Sequence, residues 1–156
     1  MHQPRQLDRM AKNTLKIQIN PNLKLIEQFL AKAGNSLTTF RYYQKRPTTI
    51  SQKHQITLIG IQNNKPIAYG HLKWNDKKLW LGICTSQKHQ GKGYGTIIMK
   101  KLINHAKNHA DFIYLTTDEN NHSAQKLYKK HGFKKITRRK NITYFRLELN
   151  EPSRQE

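Results

Sequence analysis

The chain has 156 residues, enough for one domain with a real core, and its 35% apolar share falls in periodic clusters, which excludes a disordered chain. No stretch approaches the ~18 consecutive apolar residues of a membrane span. With 29 Lys and Arg against 9 acids (net +20), the surface is either simply basic and solvated or built for anionic partners: nucleic acid, a phosphorylated cofactor or a phosphorylated substrate.

The opening segment, 1–13, lacks the apolar centre of a secretory signal and reads as a polar lead; 14–150 reads as a single domain and 151–156 as a tail. A single cysteine, Cys84, excludes an internal disulfide and fits a cytoplasmic protein. "LKIQI" (15–19) alternates like a short strand. "PNLKLIEQFLAKAG" (21–34) predicts a helix opened by Pro21 and closed by Gly34, with Leu23, Ile26, Leu30 and Ala33 on one face. "SLTTFRYYQKRP" (36–47) predicts a second short helix, capped by Ser36 and stopped by Pro47.

Three strands follow as a meander: "HQITLIGIQ" (54–62), "IAYGHLKW" (67–74) and "KLWLGICT" (78–85), joined by turns at "NNKP" and "NDK". The period then changes, with Tyr94, Ile97, Ile98, Leu102 and Ala106 on one helical face. "FIYLTT" (112–117) reads as a buried strand. "NHSAQKLYKKHGF" (121–133) predicts a helix with Ala124, Leu127, Tyr128 and His131 at helical spacing and Gly132 as its stop. His131 there would complement the helix dipole as a positive group. A hairpin closes the chain, with "ITYFRLEL" (142–149) as its last strand. The order of elements says α+β, or mixed α/β, around one sheet.

The most informative stretch is "HQGKGYGTIIMKKLI" (89–103), where three glycines occupy five positions just before a helix. Bare N–H groups at a helix N-terminus, with the dipole behind them, make an anion cradle that side chains would obstruct. A P-loop needs Gly-Lys-[Ser/Thr], which is missing, and the G-x-G-x-G spacing in mid-chain departs from the dinucleotide fingerprint.

"QGKGYG" (90–95) resembles instead the Q/R-x-x-G-x-G/A pyrophosphate signature of the GNAT acyltransferase superfamily, and "NHSAQKLYKKHGF" resembles the N-x-x-A-x-x-L-Y-x-x-x-G-F stretch after that family's fifth strand. The likeness covers about residues 55–149, and the first 50 are compatible with it. It implies a mostly antiparallel sheet of six to seven strands flanked by helices, with the fourth strand (78–85) and fifth (112–117) splayed around acetyl-CoA as co-substrate. Gln90, Gly91, Lys92, Gly93, Tyr94 and Gly95 would hold the pyrophosphate, while Ile83, Cys84, Thr85 and Asn121 would meet the pantetheine arm. No metal is expected.

Acetyl transfer to an amine needs a neutral nucleophile, a stabilised oxyanion and a proton for the departing thiolate. The resemblance assigns the proton to Tyr128, whose bland alternative is packing beside Ala124 and Leu127. For the base, His71 sits mid-strand beside the expected cleft; Asp118, just past the fifth strand, is a second candidate, and ordered water a third. Backbone N–H near Ile83 or Cys84 would hold the oxyanion. The other histidines, His54 among them, receive no role. Cys84 as a covalent nucleophile lacks a neighbouring activating histidine in sequence, so direct attack in a ternary complex is preferred.

"FRYYQKR" (40–46) interleaves rings and cations on the acceptor side: Arg41 or Arg46 to hold an anionic group, Tyr42 or Tyr43 to stack. With "YGHL" and "WLGI" it resembles a GNAT group linked to bacterial surface amino-sugar acetylation. The expected acceptor is a small amine, phosphorylated or nucleotide-linked, taken by a monomer or homodimer with no membrane. The basic run from Lys129 to Lys140 keeps a protein acetyltransferase as the alternative. A catalytically silent fold binding nucleic acid ranks third, since the aromatic signatures of RNA modules are missing.

Overall fold

The structure, a computed structural model, describes residues 14–150; the expected lead and tail lie outside the described residues. Seven strands form one sheet: β1 (Lys16–Ile19), β2 (Ile56–Gln62), β3 (Lys65–Asn75), β4 (Lys78–Thr85), β5 (Phe112–Asp118), β6 (Lys134–Arg139) and β7 (Ile142–Glu148). Their spatial order is β1-β2-β3-β4-β5-β7-β6, and every pair is antiparallel except β4 and β5. Three α-helices flank it: α1 (Leu23–Lys32), α2 (Tyr94–Ala106) and α3 (His122–Lys130).

The β2–β3 and β3–β4 hairpins each turn on two residues in the left-handed region, Asn63-Asn64 and Asp76-Lys77. Such turns match the strand twist, and Asn and Asp tolerate the conformation. After this meander the chain cannot reach a parallel neighbour by a tight turn, so α2 carries it over the sheet to β5. Ile98, Met99, Leu102 and Ala106 of α2 are fully buried against the sheet, each large side chain contributing about 1.5–3 kcal/mol. Gly70 on β3 lets α2 approach, since a methyl group there would lie 2.5 Å from Ile98 Cγ2. Ile97, expected on this face, is 38% exposed, and Met99 takes its place because the buried stripe follows Tyr94, Ile98 and Leu102.

The opposite face is covered by α1. Its cap is Asn22, whose side chain accepts from Leu25 N–H at 2.9 Å, so the helix opens after Pro21 rather than on it. It buries Ile26, Phe29 and Ala33 against Ile59, Tyr69 and Cys84, while Leu30 lies at the margin of that cluster.

The helix expected over 36–47 does not form. A 3-10 turn, Gly34–Thr38, is followed by irregular turns and a second 3-10 stretch, Thr48–Lys53. Ser36 spends its hydroxyl on Thr85 O rather than on a cap, and Thr38 and Thr39 bond back to the carbonyls of Asn35 and Ser36. Phe40 and Tyr43 are drawn onto Tyr69, a packing demand that overrides helical register.

Candidate active site

β4 and β5 touch at one register, Trp80 opposite Tyr114, and toward their C-terminal ends they part. Ser86 N–H donates to Ile67 O at 2.9 Å, which fixes the alternation of the β3–β4 ladder. Cys84 and Gly82 then bond toward β3, while the backbone groups of Ile83 and Thr85 point into the gap. Of the two expected oxyanion donors, Ile83 N–H is therefore the one that faces the cleft, and Cys84 N–H is committed to the sheet. The gap is part of a cleft of about 1420 Å³ that runs from the glycine turn to the acceptor-side loop at 40–47.

At one end of the cleft, Gly91 and Gly93 have φ of 75° and 87°, and a methyl group on either would meet nothing within 4 Å. Gly93 is the N-cap of α2 and makes no side-chain cap, and the first turn holds no acid, so its N–H groups are bare. Gly95 also lines the cleft. Gln90 braces the turn from the side, donating to Ser36 Oγ at 2.8 Å, while Ser36 donates to Thr85 O at 2.5 Å. The Tyr94 side chain is turned into the core, where its hydroxyl accepts from Gln62 Nε2 at 2.6 Å; only its backbone belongs to the cradle. Lys92 does not line the cleft.

Farther along, Tyr128 of α3 reaches the cleft with its ring edge-on to Phe145 and tilted against Phe133. Burial pushes its phenol well up, so it holds its proton, and among the described residues its hydroxyl has no hydrogen-bond partner. Asn121 also lines the cleft and caps α3, accepting from Ala124 N–H at 3.2 Å. Burial raises the Cys84 thiol to about 12, which keeps it protonated and unreactive.

His71 lies opposite Gly82 in the β3–β4 ladder and lines the cleft. Its Nδ1 is 2.7 Å from Tyr69 Oη, and its ring packs 4.3 Å from both Tyr42 and His54. Burial first, then His54, Arg46 and Lys73, hold its pKa well below the usual histidine range, so it is neutral. Tyr42 also bonds His54 Nε2 at 2.8 Å and lies under the Arg46 guanidinium at 4.4 Å.

Four expectations change on this geometry. Asp118 is held by Arg41 through Nη2–Oδ1 at 2.7 Å and Nη1–Oδ2 at 3.0 Å, and that hydrogen bonding lowers its pKa. A carboxylate so neutralised is a poor base, and Arg41, so engaged, serves as a brace between the 34–46 loop and the end of β5 rather than as a free anion holder. Tyr43 is turned inward onto Tyr69 and does not line the cleft, so it has no ring to offer a substrate. His131, expected as a positive cap, is held below its ordinary pKa by burial, Lys130 and Lys100.

His54, Tyr69 and Gly82 join the site with no role expected of them, and Ser36, expected as a helix cap, braces it instead. Tyr69 precedes His71 by two positions and so shares its face, and an isolated glycine inside "LWLGICT" signals close approach. Nothing local marks Ser36 or His54.

In sequence, residues 23–133 match the acetyltransferase (GNAT) family. The chain belongs to that family. No curated protein matches it in sequence. In fold, this GNAT domain is similar to yncA of Salmonella typhimurium, solved with acetyl-CoA (TM-score 0.73, 16% identity, covering 92% of this chain and 99% of the other). It is also similar to the ribosomal-protein-S18-alanine N-acetyltransferase of Escherichia coli (TM-score 0.70, 18% identity, 92% and 99%). A third is the PaiA N-acetyltransferase of Thermoplasma acidophilum, solved with coenzyme A (TM-score 0.71, 16% identity, 85% and 99%). Acetyl-CoA, the family's co-substrate, suits the residues present: an unobstructed glycine cradle at a bare helix start, and beyond it two strands that pair at a single register. Among the described residues no group of three or more His, Cys, Asp or Glu could hold a metal ion, and no helix is long and apolar enough to cross a membrane.

Proposed function

We propose that this GNAT domain transfers the acetyl group of acetyl-CoA to a primary amine by direct attack, with Tyr128 as the proton donor and His71 as the base. The observation that carries this reading is the continuity of one cleft, which joins the Gly91–Gly93 cradle, Ile83, Tyr128 and His71. Bound there, acetyl-CoA supplies the activated acyl group. The protein's part is to hold both reactants, to offer Ile83 N–H to the developing oxyanion, and to move two protons. Tyr128 gives one to the leaving sulfur. His71, neutral and facing the cleft, takes one from the amine. Cys84, held protonated, does not compete as a nucleophile.

The acceptor end favours an anionic amine. Arg46, Lys45 and Lys73 line it and no Asp or Glu is among the cleft-lining residues, while Tyr42, Trp80 and Tyr144 offer ring faces. A nucleotide-linked amino sugar carries phosphates and a base that such a surface would read. The protein acts in the cytoplasm on this reading, consistent with its single unpaired cysteine.

The test is free-thiol release from acetyl-CoA across amino sugars, nucleotide amino sugars, polyamines and peptides. Turnover with phosphorylated amines and a marked loss in His71→Gln support the reading. Turnover with peptides alone would transfer it to a protein acceptor, and failure to bind acetyl-CoA would end it.

A further inference from the structure

The proposed base is the inner end of a buried polar chain. Tyr69, fully buried, places its hydroxyl 2.7 Å from His71 Nδ1 and 2.6 Å from Tyr43 Oη. Tyr43 is half-buried, so the chain runs from the buried imidazole to a residue that solvent reaches in part. Around the same imidazole stand Tyr42 and His54 in ring contact, with Arg46 and Lys73 near enough to act on its charge. His54 is itself tied to Thr57 Oγ1 at 2.8 Å and to Tyr42, and makes no claim on His71's nitrogens.

We propose that Tyr69, backed by Tyr43, fixes His71 as the tautomer protonated on Nδ1, so that its Nε2 lone pair faces the cleft, and that the two hydroxyls form the exit for the proton His71 accepts. This rests on His71 being the base.

The two contacts of Tyr69 share a single hydroxyl proton, so the chain has only two consistent directions. In one, Tyr43 donates to Tyr69, Tyr69 donates to Nδ1, and Nε2–H points into the cleft. In the other, Nδ1–H donates to Tyr69, Tyr69 donates to Tyr43, and Tyr43 donates outward to water. The cleft decides between them. It presents Lys45, Arg46 and Lys73, with Arg41 already paired to Asp118, and no carboxylate among its lining residues, so the negative end of the imidazole is drawn toward it. Nε2 is also the nitrogen against Gly82, where a methyl group would lie 2.7 Å from it, on the strand whose Ile83 backbone faces the gap.

The same chain answers a difficulty. A buried imidazole beside cations resists becoming imidazolium. With the chain directed outward it need not stay charged. As the amine's proton reaches Nε2, the Nδ1 proton passes to Tyr69 Oη, the Tyr69 proton to Tyr43 Oη, and the Tyr43 proton to water. The amine's electron pair is left for the new N–C bond, and His71 ends neutral, protonated on Nε2. Tyr69 and Tyr43 are thus positioning residues acting through His71.

The test is the tautomeric state of His71 by NMR of the full chain labelled with ¹⁵N-histidine, its signals assigned by their loss in His71→Gln. The expected result is a neutral ring protonated on Nδ1. Tyr43→Phe touches nothing on His71 directly, yet it removes the acceptor for the Tyr69 proton. It should therefore turn Tyr69 to donate to Nδ1 and flip the ring to the Nε2–H form. Tyr69→Phe, which keeps the aromatic packing, should also abandon Nδ1–H and lower kcat by about 10²-fold, the lower end of what a positioned base contributes, with KM for acetyl-CoA unchanged. A wild-type ring protonated on Nε2, or a tautomer indifferent to Tyr43→Phe, overturns the proposal. Loss of the base reading is separately visible: His71→Gln would then turn over as fast as the wild type, whatever the tautomer.

Discussion

The imidazole of His71 lies directly on the α-carbon of Gly82. The two residues face each other across β3 and β4, and a methyl group on Gly82 would sit 2.5 Å from His71 Cε1. The ring has little room to retreat, because Tyr42, His54, Tyr69 and Phe40 pack around it and leave it open only toward the cleft. Gly82→Ala should therefore cost about 1–3 kcal/mol as an overpacked core site. It should also reduce kcat far more than it raises KM for acetyl-CoA. Thermal unfolding and steady-state thiol release measure both, and an Ala variant of full activity would show that the position of His71 is not used.

Tyr128→Phe separates packing from proton donation. The ring keeps its contacts with Phe133 and Phe145, and no hydrogen bond to a described residue is lost. Stability should stay within about 0.5 kcal/mol of wild type, while kcat falls on the order of 10²-fold and coenzyme A affinity is kept. A variant with unchanged kcat would return Tyr128 to a packing role.

At the cradle, Gly93→Ala places a side chain at φ 87°, where non-glycine residues carry strain, at a cost of about 1–3 kcal/mol. Its methyl group meets no protein atom within 4 Å, so what it obstructs is the approach of a ligand. Acetyl-CoA affinity should drop by about tenfold or more, the equivalent of ~1.4 kcal/mol, with kcat at saturation less affected. Titration calorimetry with coenzyme A reads this directly, and unchanged affinity would move the pyrophosphate elsewhere.

The cradle, the meander and the strand–helix–strand crossover were legible in the sequence because their signals are local. A left-handed turn asks for glycine or asparagine where it stands, and a change of hydrophobic period marks where α2 begins. The place of His71, mid-strand on β3 beside the cleft, was legible as well. What it rests on was not: Tyr42 and His54 reach it from a loop whose conformation is set by contacts with β3 rather than by its own residues. The segment 36–47 read as a helix for the same reason, since the pull of Tyr69 on Phe40 and Tyr43 is not written in the segment itself. Asp118 looked like a free carboxylate because its partner, Arg41, lies far away in the chain.

That ion pair makes its own prediction. The Arg41 side chain is 43% exposed, so the pair contributes no more than about 1 kcal/mol to stability. Its larger effect is on the loop that roofs the cleft. Arg41→Lys gives up the two-pronged grip and should raise KM for the acceptor several-fold while thermal stability changes little. If Asp118 were the base instead, Asp118→Asn would abolish turnover, and on this structure it should match Arg41→Lys.

The last prediction concerns pH. His54 is held at about 4, against an ordinary 6.5, by burial first and then by Lys73 and Arg46. A folded-state pKa below the unfolded value means that the unfolded chain binds the proton more readily. The contribution of neutral His54 is therefore complete above pH 6.5 and is lost as pH falls from there through about 4. His71, shifted in the same direction by burial, adds to the loss. Asp118, pushed below its ordinary 3.8, titrates beneath this window and cannot imitate it. Thermal midpoints measured across the window should fall steadily with acidification. His54→Gln, which keeps a partner for Tyr42, should flatten that slope by on the order of 1–2 kcal/mol after allowance for its partial exposure. A slope unchanged in His54→Gln would mean that this histidine binds its proton alike in the folded and unfolded chains, and a steeper slope would mean that the fold holds it protonated.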